Sequence, residues 1–312
     1  MITGTSTSTG IGKAVALYLA RAGYEVIATM RTPDKSDLPQ LASSEELQLT
    51  VSRLDVDDAE SVATCFAETT VDGPIDVLIN NAGIFQIGTT EDLPIDVFER
   101  TINTNYLDTM RCIQAVLPKM RERSSGTIIN VTSVAGRLTA PTIGAYTAAK
   151  HALEAATEAL AAEVKQHGIK VALVEPGIIE TPMTTQEKLP TKSDPRYPTL
   201  ARIHAIFDST LAGEPGQPDA VAETVENVLE DKTGQLRWPV RPDSAAFLAW
   251  RASMNDKEWV ACNGVEDDET WYQMFEDFFG ADIRAFRCED GLTDPGSSSL
   301  SSPGPTPAID RG

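Results

Sequence analysis

Tyr146 and Lys150 stand four residues apart, and Ser133 precedes the tyrosine by thirteen. Residues at i and i+4 share one face of a helix, so a helix through this stretch carries the phenol and the ammonium one turn apart. Such a pair can move a proton to and from the oxygen of an alcohol or a carbonyl. A phenol ionises near ~10 in small peptides, so at neutral pH only about one in a thousand is phenolate. A neighbouring cation stabilises the phenolate and brings its pKa nearer the working range. A serine hydroxyl at the end of a strand can hold the same oxygen, giving a developing oxyanion two donors. Tyr-x-x-x-Lys alone arises by chance in many chains. What makes it specific here is Ser133, with Asn80-Asn81-Ala82-Gly83 before it and Pro176-Gly177 after the next strand.

These groups come from distant segments, so a scaffold must bring them to one edge. From residue 1 to about 185, β-rich runs alternate with helical patterns, the order of βαβ units in a parallel sheet. The strands expected are 1–3, 24–30, 47–53, 77–80, 126–132 and 170–175. Val77-Leu78-Ile79 is wholly apolar, as strands covered on both faces are. Ile11, Val15 and Leu19 recur every four residues, as do Leu153, Thr157 and Ala161 beside Leu160 and Val164, which marks amphipathic helices. Residues 186–289 are richer in proline and aromatics, with short helical pieces, and read as a helical cap on the same domain. Its aromatics either line an apolar pocket or pack the cap on the sheet. Residues 290–312 are too poor in apolar side chains to fold and read as a disordered tail.

The segment Thr3-Gly4-Thr5-Ser6-Thr7-Ser8-Thr9-Gly10-Ile11-Gly12 follows the first strand and opens a helix. A glycine-rich turn there lets the backbone approach a pyrophosphate at the helix N-terminus. Leu54-Asp55-Val56 ends one strand, and Asn81-Ala82-Gly83 another, at the carboxyl edge where ligands of such sheets bind. At the end of the second strand, Met30-Arg31 offers a cation for a ribose 2′-phosphate and lacks the acid that would take a 2′-hydroxyl. NADP(H) is expected over NAD(H).

Over about residues 1–185 the combination resembles the short-chain dehydrogenase/reductase family. The resemblance implies an α/β fold with a Rossmann-type doubly wound parallel sheet. It implies an oxidoreductase that interconverts an alcohol and a ketone or aldehyde, with Tyr146 as acid/base beside Ser133 and Lys150. Asn105 falls where the family has an asparagine that holds a water connected to the lysine; Asn103 is the second choice. Family roles in cofactor binding map onto Gly4 or Ser6, Gly10, Ile11, Gly12, Arg31, Asp55, Val56, Asn81, Ala82, Gly83, Tyr146, Lys150, Pro176, Ile179 and Thr181. The first glycine is ambiguous, because five residues separate Gly4 from Gly10 where the family has three. Either two residues are inserted or Ser6 takes the glycine's place. The short strand before Gly4 suggests a truncated or misplaced start.

The stretch 111–118, Val171–Glu175 with its Pro-Gly, and the extended C-terminus resemble the hydroxysteroid- and retinol-dehydrogenase-like branch. That implies an apolar, steroid-, retinoid- or lipid-like substrate. Family members commonly pair through the helices spanning 101–120 and 146–165, so a homodimer or homotetramer is expected. The competing reading is a catalytically silent NADP(H)-binding sensor on the same fold, against which the complete Asn/Ser/Tyr/Lys set argues.

The bulk properties narrow the field further. A net charge of −20 over 312 residues argues against nucleic acid or an anionic membrane surface as a partner. No apolar run approaches the ~20 residues that span a bilayer. The first residues lack a secretory pattern, so a cytoplasmic location is expected. Cys65, Cys112, Cys262 and Cys288 form no C-x-x-C pair and read as reduced thiols, and His151, His167 and His204 show no ligand spacing, so no metal is expected. Asn130-Val131-Thr132 has the glycosylation pattern but lies in an apolar strand, so it is discounted.

Overall fold

A computed structural model describes residues 1–6, 9–71, 73–185 and 194–287. The apolar runs form β1 (Val26–Met30), β2 (Leu49–Arg53), β3 (Val77–Asn80), β4 (Gly126–Val131), β5 (Ile169–Pro176) and β6 (Arg237–Val240). β1 pairs with β2, and β3 to β6 pair in chain order, all in parallel. Residues 1–3 join the two sets: Ile2 N donates to Ile27 O at 2.9 Å and Thr3 N to Ile79 O at 3.0 Å. The strand order therefore turns back on itself beside residues 1–3, as in a doubly wound sheet, and the carboxyl edge there is the natural ligand site.

The first helices are α1 (Ile11–Arg21), α2 (Leu38–Ser44), α3 (Ala59–Thr69), α4 (Ile95–Ile102), α5 (Asp108–Glu122) and α6 (Gly144–Val164). They are followed by α7 (Pro182–Thr185), α8 (Thr199–Ala212), α9 (Pro218–Glu230), α10 (Arg241–Ala252), α11 (Asp256–Asn263) and α12 (Asp268–Phe279). Side chains alternate along a strand, so the central strands β3 and β4 feed two cores. Ile79 and Ile129 join Val15 and Leu19 of α1 and Val221, Val225 and Val228 of α9. Leu78 and Ile128 point the other way, to Phe66 of α3, Ile113 and Val116 of α5, and Leu160 and Val164 of α6. A third cluster, with Trp250, Trp259, Trp271, Tyr272 and Phe275, holds α8, α10, α11 and α12 together above the carboxyl edge.

Two features differ from the reading of the sequence. β1 and β2 each start two residues later than expected, since residues 24, 25 and 48 are exposed. Residues 218–240 are also more than cap: α9 packs on α1, and β6 extends the sheet. Pro239 hid this strand. It is tolerated because β6 pairs only with β5 among the described residues, and an edge strand can spare one N–H. The tail expected from residue 290 lies outside the described residues, as does Cys288.

Candidate active site

The helix that carries the tyrosine and lysine is fixed to the sheet by a buried polar chain. Asn80 Nδ2 donates to Asn130 Oδ1 and Asn130 Nδ2 to Thr157 Oγ1, both at 2.8 Å. One strand pair and α6 are thereby locked in register. Asn130 is fully buried, as its apolar neighbours imply. Two and three turns before Thr157, α6 presents Lys150 and Tyr146 on the cleft at the carboxyl edge. Lys150 Nζ donates to Val131 O at 3.0 Å and lies 5.7 Å from the centroid of the Tyr146 ring. Phe85 meets the same ring edge-on, 4.9 Å between centroids. Ser133 accepts from Ala135 N at 3.1 Å and donates to Pro176 O at 3.3 Å. The second bond is long, so the hydroxyl hydrogen can turn to a better acceptor.

Burial dominates the titration of this group. It pushes the Tyr146 phenol up to about 12, with the Ser133 hydroxyl pulling the other way. It brings Lys150 down to about 8, against the Glu154 carboxylate one turn further on. The protein's own groups thus keep the phenol protonated at neutral pH, and the ammonium alone does not lower it. The lowering expected from the neighbouring cation is outweighed by the desolvation of the phenol.

Asn105 lies where the helical run loosens into a π-turn, Asn103–Leu107, a local geometry frequent at functional sites. It is fully buried, and its amide clamps one peptide: Oδ1 accepts from Ile84 N at 2.7 Å and Nδ2 donates to Ile84 O at 2.8 Å. Asn103 instead donates to Asp57 at 2.8 Å. Asn105 therefore holds the stretch Asn81-Ala82-Gly83-Ile84 in place.

The glycine turn meets that stretch from the other side. Gly4 has φ +72°, and a Cβ there would lie 2.7 Å from Ala82 Cα. Asn81 Nδ2 donates to Thr3 O and Gly4 O, each at 3.0 Å, while Thr3 Oγ1 accepts from Asn81 N and Ala82 N at 3.0 and 3.1 Å. Gly4 occupies the tight position against Ala82, whereas Ser6 is exposed. Thr7 and Ser8 lie outside the described residues. Gly10 caps α1 with no side-chain bond to the first-turn N–H groups, which leaves them for an anion.

One cleft runs from Gly4, Gly10, Ile11, Gly12, Arg31, Asp55 and Val56 past Asn81, Ala82 and Gly83 to Ser133, Tyr146, Lys150, Pro176, Ile179 and Thr181. Asn105 stands behind it. Arg31 is exposed at the end of β1, and Asp55 accepts from Asp57 N at 3.2 Å in a short turn. Ile179 O accepts from Thr184 Oγ1 at 2.6 Å, and Thr181 begins the turn into α7. The far end of the cleft is walled by Phe85, Ile203, Phe207, Trp250, Trp259 and Trp271. These aromatics both line the pocket and pack on one another, with Trp250 and Trp259 centroids 4.9 Å apart. The cradle without Cβ atoms, the uncapped helix and the Arg31 edge fit a dinucleotide. Among the described residues no group of His, Cys, Asp and Glu is placed to hold a metal, and no helix is long and apolar enough to cross a membrane.

Sequence reasoning passed over the charges beneath Lys150. Glu175, at the end of β5, is fully buried, and its carboxylate lies 3.5 Å from Arg137 and 3.6 Å from Arg237. Arg237 also bonds Glu154 at 3.0 Å. Burial and the Glu154 charge push Glu175 up to about 7, the two arginines opposing. The folded state therefore binds this proton more tightly than the unfolded chain, and stability is lost as pH rises from about 4.5 through about 7. Glu175→Gln is expected to stabilise the protein by about 3 kcal/mol at pH 8 and by roughly half of that at pH 5.5. Urea denaturation at the two pH values measures it, and an equal gain at both contradicts the assignment.

The profile of the short chain dehydrogenase family matches residues 1–191, and the chain belongs to that family. It is accordingly an oxidoreductase of the kind that acts on alcohol and carbonyl groups. Human retinol dehydrogenase 8 is 39% identical over 179 residues, covering 56% of this chain and 57% of its own. A short-chain dehydrogenase from Streptomyces avermitilis superposes with a TM-score of 0.73 at 31% identity, covering 81% of this chain and 90% of that one. A gluconate 5-dehydrogenase from Burkholderia cenocepacia, solved in complex with NADP and tartrate, reaches 0.66 at 26% identity over 78% and 94% of the two chains.

Proposed function

We propose that the chain interconverts an apolar alcohol and its ketone or aldehyde with NADP(H), Tyr146 acting as the acid/base. The observation that carries this reading is one cleft in which Tyr146, Ser133 and Lys150 stand between a glycine cradle and an aromatic wall. The nicotinamide cofactor, when bound, supplies or accepts the hydride. In the reductive direction the Tyr146 Oη proton passes to the carbonyl oxygen, and the Ser133 hydroxyl, released from its long bond to Pro176 O, holds that oxygen in line. In the oxidative direction Tyr146 must first lose its proton. A second positive charge beside Lys150 would oppose the burial that holds the phenol up. Asn105 keeps the wall at Ile84 rigid. Gly4 and Gly10 to Gly12, with Asn81 to Gly83, would hold the pyrophosphate and adenosine, Asp55 and Val56 the adenine, and Ile179 and Thr181 the carboxamide.

Likeness to retinol dehydrogenase 8 and the aromatic wall favour an apolar substrate. The complex of the gluconate dehydrogenase with NADP and the position of Arg31 favour the phosphorylated cofactor. A silent sensor would have no use for the Tyr146, Ser133 and Lys150 set. The net charge of −20 and the free, buried Cys65, Cys112 and Cys262 suit a cytoplasmic enzyme. NADPH should bind at least about tenfold more tightly than NADH, and Arg31→Ala should remove most of that margin, the worth of one charge-assisted contact at an exposed site. Titration by nicotinamide fluorescence reads both. Equal affinities in the unaltered protein overturn the NADP(H) preference.

A further inference from the structure

Within the aromatic end of the cleft one side chain is out of character. Thr199, Arg202, Ile203 and Ile206 of α8 all line the cleft, and their spacing of three, four and seven puts them on one helix face. An arginine on such a face is ordinarily solvated, yet Arg202 is 2% exposed. Two of its three nitrogens are committed: Nε to Asp268 Oδ1 at 2.7 Å, and Nη2 to Val265 O at 2.8 Å and Glu266 O at 3.4 Å. The guanidinium lies over the Trp271 ring, 5.7 Å from its centroid. Nη1 is buried and has no acceptor among the described residues. A buried charged donor without an acceptor is costly, and arginine's rigid fork is suited to a carboxylate. Asp268 balances the charge of Arg202, and Arg287, 3.6 Å from the same carboxylate, also acts on Asp267, so what Arg202 lacks is an acceptor for Nη1 and not a counter-charge.

Resting on the oxidoreductase reading above, we propose that the substrate is amphipathic, with a carboxylate remote from its reacting carbon that Arg202 receives at the aromatic end of the cleft. An oxo or hydroxy fatty acid has this chemistry: an apolar chain for the tryptophan wall, a carbon–oxygen bond for Tyr146, and an acid for Arg202. A plain hydrocarbon ketone would leave Nη1 unpaired.

Binding tests this without turnover, because Trp250, Trp259 and Trp271 line the cleft and report occupancy by their fluorescence. The NADPH-loaded protein is titrated with saturated fatty acids of eight to sixteen carbons and with their methyl esters. At the best chain length the acid should bind at least about tenfold more tightly than its ester, the worth of a charge-assisted bond. Arg202→Met should abolish that preference with ester binding and NADPH affinity retained, and Arg202→Lys should keep only part of it. Should Arg202→Met fail to fold, the acid-to-ester ratio in the unaltered protein and in Arg202→Lys decides. Equal binding of acid and ester at every length, or a preference that survives both substitutions, overturns the proposal. Either of those outcomes leaves the alcohol–carbonyl reading standing, since that reading falls only on turnover.

Discussion

Tyr146→Phe is expected to cut kcat for carbonyl reduction about 10³-fold, within the usual 10²–10⁴-fold worth of a general acid, and to leave NADPH affinity within about twofold. The substitution removes one hydroxyl and little else. The phenylalanine ring keeps its edge contact with Phe85, and Lys150 keeps its bond to Val131 O, so the cleft retains its shape. What is lost is the only proton of Tyr146 that can reach a carbonyl oxygen held by Ser133. Because burial places the phenol at about 12, the unaltered enzyme holds that proton throughout the neutral range. Reduction should therefore not decline between pH 6 and 8 for want of the acid, whereas oxidation, which needs the phenolate, should quicken as pH rises. Steady-state rates on a panel of apolar ketones and aldehydes, with single-wavelength detection of NADPH, measure the substitution. Equal, non-zero rates for the two proteins remove Tyr146 from the chemistry.

The parts of the fold that were legible in the sequence are those whose physics is local. Val77-Leu78-Ile79 is apolar on both sides because its two faces meet different cores, and that pattern needs no partner to be read. The pairing of Tyr146 with Lys150 is likewise a consequence of helical spacing. The β6 strand was not legible, since Trp238-Pro239 carries a strand-breaking residue whose tolerance depends on being at the edge of the sheet. The first-glycine ambiguity was undecidable from composition, because Gly4 and Ser6 are both plausible turn residues. Only the approach of Ala82, 78 residues away, selects the residue without a Cβ. Arg202 and Glu175 were passed over for the opposite reason: a charged residue in a helix or at a strand end is read as solvated until its burial is known. Both charges lie in ion networks assembled from elements far apart in the chain, Arg202 with Asp268 and Glu175 with Arg137 and Arg237.

Gly12→Ala should lower NADPH affinity at least about a hundredfold and the melting temperature by roughly 3–8 °C, the effect of overpacking by 1–3 kcal/mol in a chain of this size. The added Cβ would lie 2.4 Å from Gly4 O and 2.5 Å from Asn81 Nδ2, the two atoms that are hydrogen-bonded to each other at 3.0 Å. It would wedge that bond apart. Neither side can yield easily. Gly4 is held in the left-handed region with Ala82 against it, and Asn81 and Ala82 are pinned through their N–H groups to Thr3 Oγ1. Opening the turn therefore moves the start of α1 away from the strand edge, which is the geometry an anion at that helix terminus requires. A control is available in Gly73→Ala, where nothing lies within 4 Å of the new methyl group, so neither stability nor binding should change. Thermal melts with and without NADPH separate the two effects: loss of the NADPH-induced rise in melting temperature reports the site, and the fall without cofactor reports the wedge. If Gly12→Ala melts lower yet keeps the full NADPH-induced rise, the turn is structural only, and the phosphates must be held elsewhere along the cleft.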